Sequence, residues 1–137
     1  MTEQEYYECL SVIDSFASLS KNWCGRNSDP IPDKIFTYSK KLLLYLASFN
    51  VTHLMDCPAP EIFPTSNQSI KFKWYMNECS CYLELEIKDD DINYYAEFNS
   101  DKDNISNHLE CTLCADNSDY CDIIRYIKET FFDVYKK

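Results

Sequence analysis

The sequence predicts an α+β fold: two N-terminal helices, an antiparallel meander of three to five strands, and a C-terminal helix, with the helices packed on one sheet face. Three observations predict it. Apolar residues recur every three or four positions in two stretches before residue 50 and in one after residue 117. They alternate strictly with polar residues in three stretches between residues 70 and 98, and the segments joining those stretches are short and polar, as hairpins require. At 137 residues, the whole of 1–137 reads as one domain with one core.

The first helical stripe is Tyr6, Cys9, Leu10, Ile13, Phe16 and Ala17, within a helix expected over Glu3 to Leu19. A turn-rich segment from Asn22 to Pro30 follows; it holds the chain's only glycine, Gly25, and Trp23 is expected to anchor it. Pro32 and Asp33 suit a helix start, and Ile35, Ser39, Leu42, Leu43, Leu46 and Phe49 mark a second stripe ending near Asn50. Pro58, Pro60 and Pro64 forbid helix and leave a short extended piece, Glu61-Ile62-Phe63, before the polar turn Thr65 to Gln68. The alternating sets are then Ile70, Phe72, Trp74; Cys81, Leu83, Leu85, Ile87; and Ile92, Tyr94, Ala96, Phe98. Their opposite faces carry Lys71, Lys73, Tyr75; Tyr82, Glu84, Glu86; and Asn93, Tyr95, Glu97, so Lys71 and Lys73 are expected to pair across strands with Glu84 and Glu86. Residues 99–115 carry no clear period, and His108 to Leu113 reads as strand or loop. From Asn117-Ser118-Asp119 a capped helix is expected, with Tyr120, Ile123, Ile124, Ile127, Phe131 and Val134 on one side.

Charge narrows the partners. The net charge of -10 is concentrated: from Glu78 to Asp122 there are 13 acidic residues against two lysines, a net of -11, which leaves the rest of the chain at +1. Such a surface repels nucleic acid and anionic lipid and favours a basic protein partner or, as a merely solvated negative face, solubility alone. The acidic, unlipophilic start of the chain and the lack of any apolar run of bilayer length lead to the expectation of a cytoplasmic protein without membrane contact. In that compartment the eight cysteines are expected to be reduced.

Catalytic and metal constellations are weak. Cys79, Cys81, Cys111 and Cys114 form the sharpest set, a low-odds zinc site in which only one Cys-x-x-Cys knuckle has the usual spacing; small buried thiols account for them better, and neither a metal nor any other cofactor is expected. Glu110 and Asp116 flank that knuckle and oppose the low thiol pKa a redox pair needs. Asn99, Asp101, Asp103 and Glu110 echo a calcium loop, but Asn104 stands where its turn needs glycine. His53 and His108 are the only histidines and neither lies in a recognisable nucleophile arrangement, while a single glycine excludes phosphate-cradling loops.

The expectation is therefore a small, acidic, non-enzymatic binding or inhibitor protein. Spaced carboxylates on a rigid sheet imitate a phosphate backbone, and tyrosines supply contact area, so the expected partner is a basic, nucleic-acid-handling protein such as a nuclease or CRISPR effector. The residues expected to bind it are Tyr82, Glu84, Glu86, Tyr95 and Glu97 on the sheet, with Asp89, Asp90, Asp91, Asp101 and Asp103 in the adjoining loops steering encounter. Alternatives are an antitoxin or immunity protein that masks a toxin, and a zinc-stabilised domain using the four cysteines above.

The elements Trp23-Cys24-Gly25, Pro30-Ile31, Pro60-Glu61-Ile62-Phe63-Pro64-Thr65, Phe72-Lys73-Trp74 and Leu83-Glu84-Leu85-Glu86-Ile87 stand in an order that resembles a loose group of small uncharacterised bacterial and mobile-element proteins. Where that group has Asp-Gly or Gly-Gly before the tryptophan strand, this chain has Asn67-Gln68-Ser69. The resemblance implies no activity. In size and charge alone the chain is similar to anti-CRISPR proteins and antitoxins of phages and other mobile elements, which implies action in the cytoplasm of a host cell.

Overall fold

The computed structural model describes residues 1–19, 23, 29–52, 58–76, 79–88, 91–100, 105–113, 125, 127 and 129, with the backbone alone at 48–52, 76, 87–88, 91, 100 and 105–113. The architecture is α+β. Helix α1 (Glu3–Ser15) and helix α2 (Asp33–Thr52) precede an antiparallel sheet of β1 (Glu61–Pro64), β2 (Ile70–Met76), β3 (Cys79–Lys88), β4 (Asp91–Ser100) and β5 (Ile105–Leu113), which lie side by side in chain order as a meander. Among the described residues no helix is long and apolar enough to cross a membrane.

Helix α1 starts on a capping box: the Thr2 hydroxyl accepts from the Glu5 amide while the Glu5 carboxylate accepts from the Thr2 amide at 2.9 Å. It stops at Ser15, short of the expected Leu19, and a single 3-10 turn (Phe16–Ser18) follows. The serines explain the early stop, because Ser15 Oγ donates to the Val12 carbonyl at 2.6 Å and Ser18 Oγ to the Ser15 carbonyl at 2.9 Å, competing for acceptors the helix would use. Helix α2 buries Ile35, Ser39, Leu42, Leu43 and Leu46, the predicted stripe as far as it is described.

The strands alternate as their sequences require. In the inward rows Ile62 faces Phe72, which faces Leu83 and then Ala96; Trp74 faces Cys81 and then Phe98; Ile70 faces Leu85 and then Tyr94. These residues join Cys9, Ile13, Ile35, Leu42, Leu43 and Leu46 of the helices in one buried cluster. Each fully buried Leu, Ile or Phe contributes about 1.5–3 kcal/mol over its exposed state. Trp74 satisfies its indole by donating to the Pro58 carbonyl at 3.0 Å, which ties the proline-rich connection to the core.

Two points that the sequence leaves open are resolved. The segment that reads as strand or loop is a strand, and it begins at Ile105, before the readable part. The β1–β2 turn places Gln68 in the left-handed region at φ 60°, where a residue with a Cβ is strained and glycine is not. Its side chain donates to the Pro30 carbonyl at 3.0 Å, a contact that glycine at this position could not make. The expected C-terminal helix lies almost wholly outside the described residues; Arg125 and Ile127 are helical, and Ile127 is buried in the core cluster.

Candidate functional site

The site is the sheet face turned away from that cluster. Hairpin geometry sets it: Met76 pairs with Cys79, so Lys71 stands opposite Glu84 and Lys73 opposite Tyr82. Across the next hairpin Tyr82 faces Glu97, Glu84 faces Tyr95 and Glu86 faces Asn93. On β5 the register continues to His108 beside Glu97 and Glu110 beside Tyr95. Tyr82, Glu84, Glu86, Tyr95 and Glu97, five of the residues predicted to bind a partner, therefore share adjacent rows of two neighbouring strands. Asp91 opens β4 opposite Lys88. Asp89, Asp90, Asp101 and Asp103 lie outside the described residues.

The contacts on this face are not the ion pairs expected from sequence. Lys73 has Tyr82, not Glu86, as its cross-strand neighbour, and its ammonium lies 4.8 Å from the centroid of the Tyr75 ring. Lys71 does sit opposite Glu84, but its ammonium lies over the Tyr82 ring, 4.4 Å from the centroid. Neutral donors hold the carboxylates. Ser69 Oγ donates to Glu84 Oε1 at 2.6 Å, Asn93 Nδ2 donates to Glu86 Oε1 at 3.2 Å, and the Tyr82 hydroxyl donates to Glu97 Oε2. None of these three glutamates has a cation partner among the described residues.

Behind Glu84 the chain of donors continues. Thr65 and Ser69 share a hydrogen bond between their hydroxyls, and the Asn67 amide donates to Thr65 Oγ1 at 3.2 Å. With Ser69 donating to Glu84, Thr65 donates to Ser69, and three aligned dipoles end on one carboxylate oxygen. Ser69 and Asn93, neither assigned a role from sequence, are both buried. Hairpin arithmetic was the available signal for Asn93, since a two-residue β3–β4 connection sets it across from Glu86.

Tyr82 is the hub of the face. Its ring lies 5.9 Å from that of Tyr95 and beneath the Lys71 ammonium, and its hydroxyl is committed to Glu97. Burial first, then the hydrogen bond to Glu97 and the nearby charges of Glu97 and Glu84, hold the phenol protonated far above the usual tyrosine range. It is therefore a permanent donor to Glu97 at neutral pH.

Compared with protein-family models, curated proteins and solved structures, the chain matches none.

The other constellations come apart. Cys79 and Cys81 are buried in the core and neither is in a disulfide. Cys111 pairs with Tyr94, whereas the row of Cys81 meets β5 at Asn107, four residues away. That is roughly 13 Å along the strand, against sulfurs within about 4 Å of one another around a zinc ion. The register does not bring Cys111 to Cys79 and Cys81, and Cys114 lies outside the described residues. Asn99 of the calcium-like pattern is a strand residue paired with Ser80 and Ser106. His53 is outside the described residues, and His108 stands on β5 across from Glu97.

A groove of about 290 Å³ between α1 and β1 is lined by Glu5, Glu8, Cys9, Pro60, Glu61 and Ile62 among others. The Cys9 thiol donates to the Pro60 carbonyl at 3.9 Å. Burial, and secondarily Glu5 and Glu8, raise its pKa, so the groove holds a neutral thiol and not a nucleophilic thiolate.

Proposed function

We propose that this is a non-enzymatic binding protein that captures a basic surface of a nucleic-acid-handling protein through the outer face of β3 and β4. One observation supports it most: Glu84, Glu86 and Glu97 share that face, each positioned by a neutral donor through one oxygen and none paired with a cation among the described residues. A purely structural charge network would bring Lys71 onto Glu84; here the lysine is on an aromatic ring instead. Acceptors already fixed in place lose little entropy when an arginine or lysine of a partner meets them, which is the benefit of preorganisation. Tyr82 and Tyr95, half-exposed between the carboxylates, supply apolar contact area with few rotamers to freeze.

In this reading a third helix, over the segment following Ser118, joins α1 and α2 on the core side of the sheet, and the burial of Ile127 supports that placement. The protein works in the cytoplasm, a compartment that suits Cys9, Cys79 and Cys81, none of which is in a disulfide.

The test uses the triple variant Glu84→Gln, Glu86→Gln, Glu97→Gln, in which each amide oxygen still accepts from Ser69, Asn93 or Tyr82 while the charge is gone. Immobilised wild-type chain is expected to retain a partner from host extract at low salt and release it at high salt. The triple variant is expected to bind at least tenfold more weakly, since three charges lost from a complementary interface cost more than one decade. Equal retention by the two proteins at low salt removes the proposal.

A further inference from the structure

The two edges of the sheet differ. β1 has four residues, ends at Pro64, exposes Glu61 and lies against α1, so it is blunted in the usual ways. β5 is nine residues long, stands at the other end of the strand order, and contains neither proline nor lysine. Among the described residues its far edge meets no strand. A long edge without such protection is a template for another strand.

The β5 sequence, Ile-Ser-Asn-His-Leu-Glu-Cys-Thr-Leu, selects the occupant. Around Leu109 it complements itself when reversed. An antiparallel copy centred there sets His108 across from Glu110 of the second copy, Ser106 across from Thr112, Ile105 across from Leu113, and Leu109 across from itself. Two hydroxyl pairs, three apolar pairs and two opposite-charge or charge-dipole pairs result, the combinations that stabilise antiparallel neighbours, and the remaining two set Asn107 across from Cys111.

Alternative registers are worse. A two-fold axis normal to the sheet keeps each residue on its own face, so only shifts of the centre by whole residues are allowed. Centring on His108 stacks histidine on histidine, and centring on Glu110 stacks carboxylate on carboxylate. Only the Leu109 centre pairs all nine residues and avoids like charges.

We infer that two copies of this chain associate edge to edge through antiparallel β5 strands centred on Leu109, forming one continuous ten-stranded sheet. In that dimer the outer faces of both copies lie on the same side, so the surface carrying Glu84, Glu86 and Glu97 is doubled. The association does not depend on the partner proposed above.

Two measurements on the full chain under reducing conditions decide it. Sedimentation equilibrium over a concentration series is expected to show a reversible monomer–dimer equilibrium, and amide exchange at residues 105–113 is expected to slow as the dimer forms. A chain that stays monomeric at every concentration overturns the inference, as does a dimer that leaves exchange in β5 unchanged. Register is tested on outer-face positions whose neighbours on β4 are the neutral Asn99 and Asn93. Ser106→Lys with Thr112→Lys sets lysine against lysine across the seam and is expected to weaken the dimer tenfold or more; Ser106→Glu with Thr112→Lys sets opposite charges there and is expected to dimerise at least as tightly as wild type. A double-lysine variant that dimerises like wild type overturns the Leu109-centred register. If either variant fails to fold, the exchange measurement on wild type still decides the interface.

Discussion

Among the described residues two serines are fully buried, and they carry opposite consequences. Ser39 sits in the apolar stripe of α2 between Ile35 and Leu43, and its hydroxyl has no hydrogen-bond partner among the described residues. Ser69 sits in the β1–β2 turn and passes its hydrogen bond to Glu84 while receiving one from Thr65. A buried donor without an acceptor forfeits its hydration and recovers nothing, whereas a satisfied one leaves its partner stranded when removed. Ser39→Ala is therefore expected to stabilise the fold by about 1 kcal/mol, and Ser69→Ala to destabilise it by about 1–3 kcal/mol. Urea unfolding of the two variants checks both signs. Loss of stability in Ser39→Ala would mean that its hydroxyl has an acceptor after all.

Elements are held by the same kind of local chemistry, and at the start of α1 it titrates. The backbone hydrogen bond from Thr2, then the Thr2 side chain, keep the Glu5 carboxyl below its ordinary pKa. A group whose folded pKa is depressed stabilises the fold fully above its unfolded pKa, and loses that contribution as pH falls through the lower, folded value. The first turn of α1 is thus expected to loosen on acidification within and below the normal carboxylate range, seen as a fall in amide protection, relative to the intrinsic exchange rate at each pH, at residues 5–7. Glu5→Gln is expected to flatten this dependence, and an identical pH response in the variant would assign it to other carboxylates. Thr2 and Glu5 at capping-box spacing are visible in the sequence, as are the period-two rows of β2, β3 and β4, because both signals are local. The contacts of the outer face are not local. Alternation places Lys71 and Lys73 on the same face as Glu84 and Glu86, but only the hairpin register sets Lys73 against Tyr82. Choosing between a carboxylate and an aromatic ring for Lys71 then depends on which acceptor Ser69 has already engaged. β5 was hidden for a different reason: Ser106, Asn107 and Thr112 dilute its apolar alternation, and pairing with β4 overrides weak strand propensity.

Over the whole molecule, acidic residues held by neutral donors make a measurable prediction about salt. Glu84 and Glu86 are two residues apart on one strand, roughly 6.7 Å, and Glu84 and Glu97 are diagonal neighbours at roughly 7–8 Å. Each pair repels by about 0.5 kcal/mol even at the dielectric constant of water, so the face costs the fold on the order of 1 kcal/mol at low ionic strength. A Debye length of about 8 Å at physiological ionic strength screens roughly half of this. Raising sodium chloride from near zero to that level is expected to increase Tm by about 2 °C. The triple glutamine variant, without the repulsion, is expected to melt higher than wild type at low salt and to respond less to added salt. Were the glutamates instead part of a stabilising ion network with Lys71 and Lys73, salt would lower Tm and the glutamine variant would be the weaker protein. The sign of one melting experiment separates a surface that supports the fold from one kept at some cost to it, and natural proteins tolerate such a cost chiefly where a surface has something to bind.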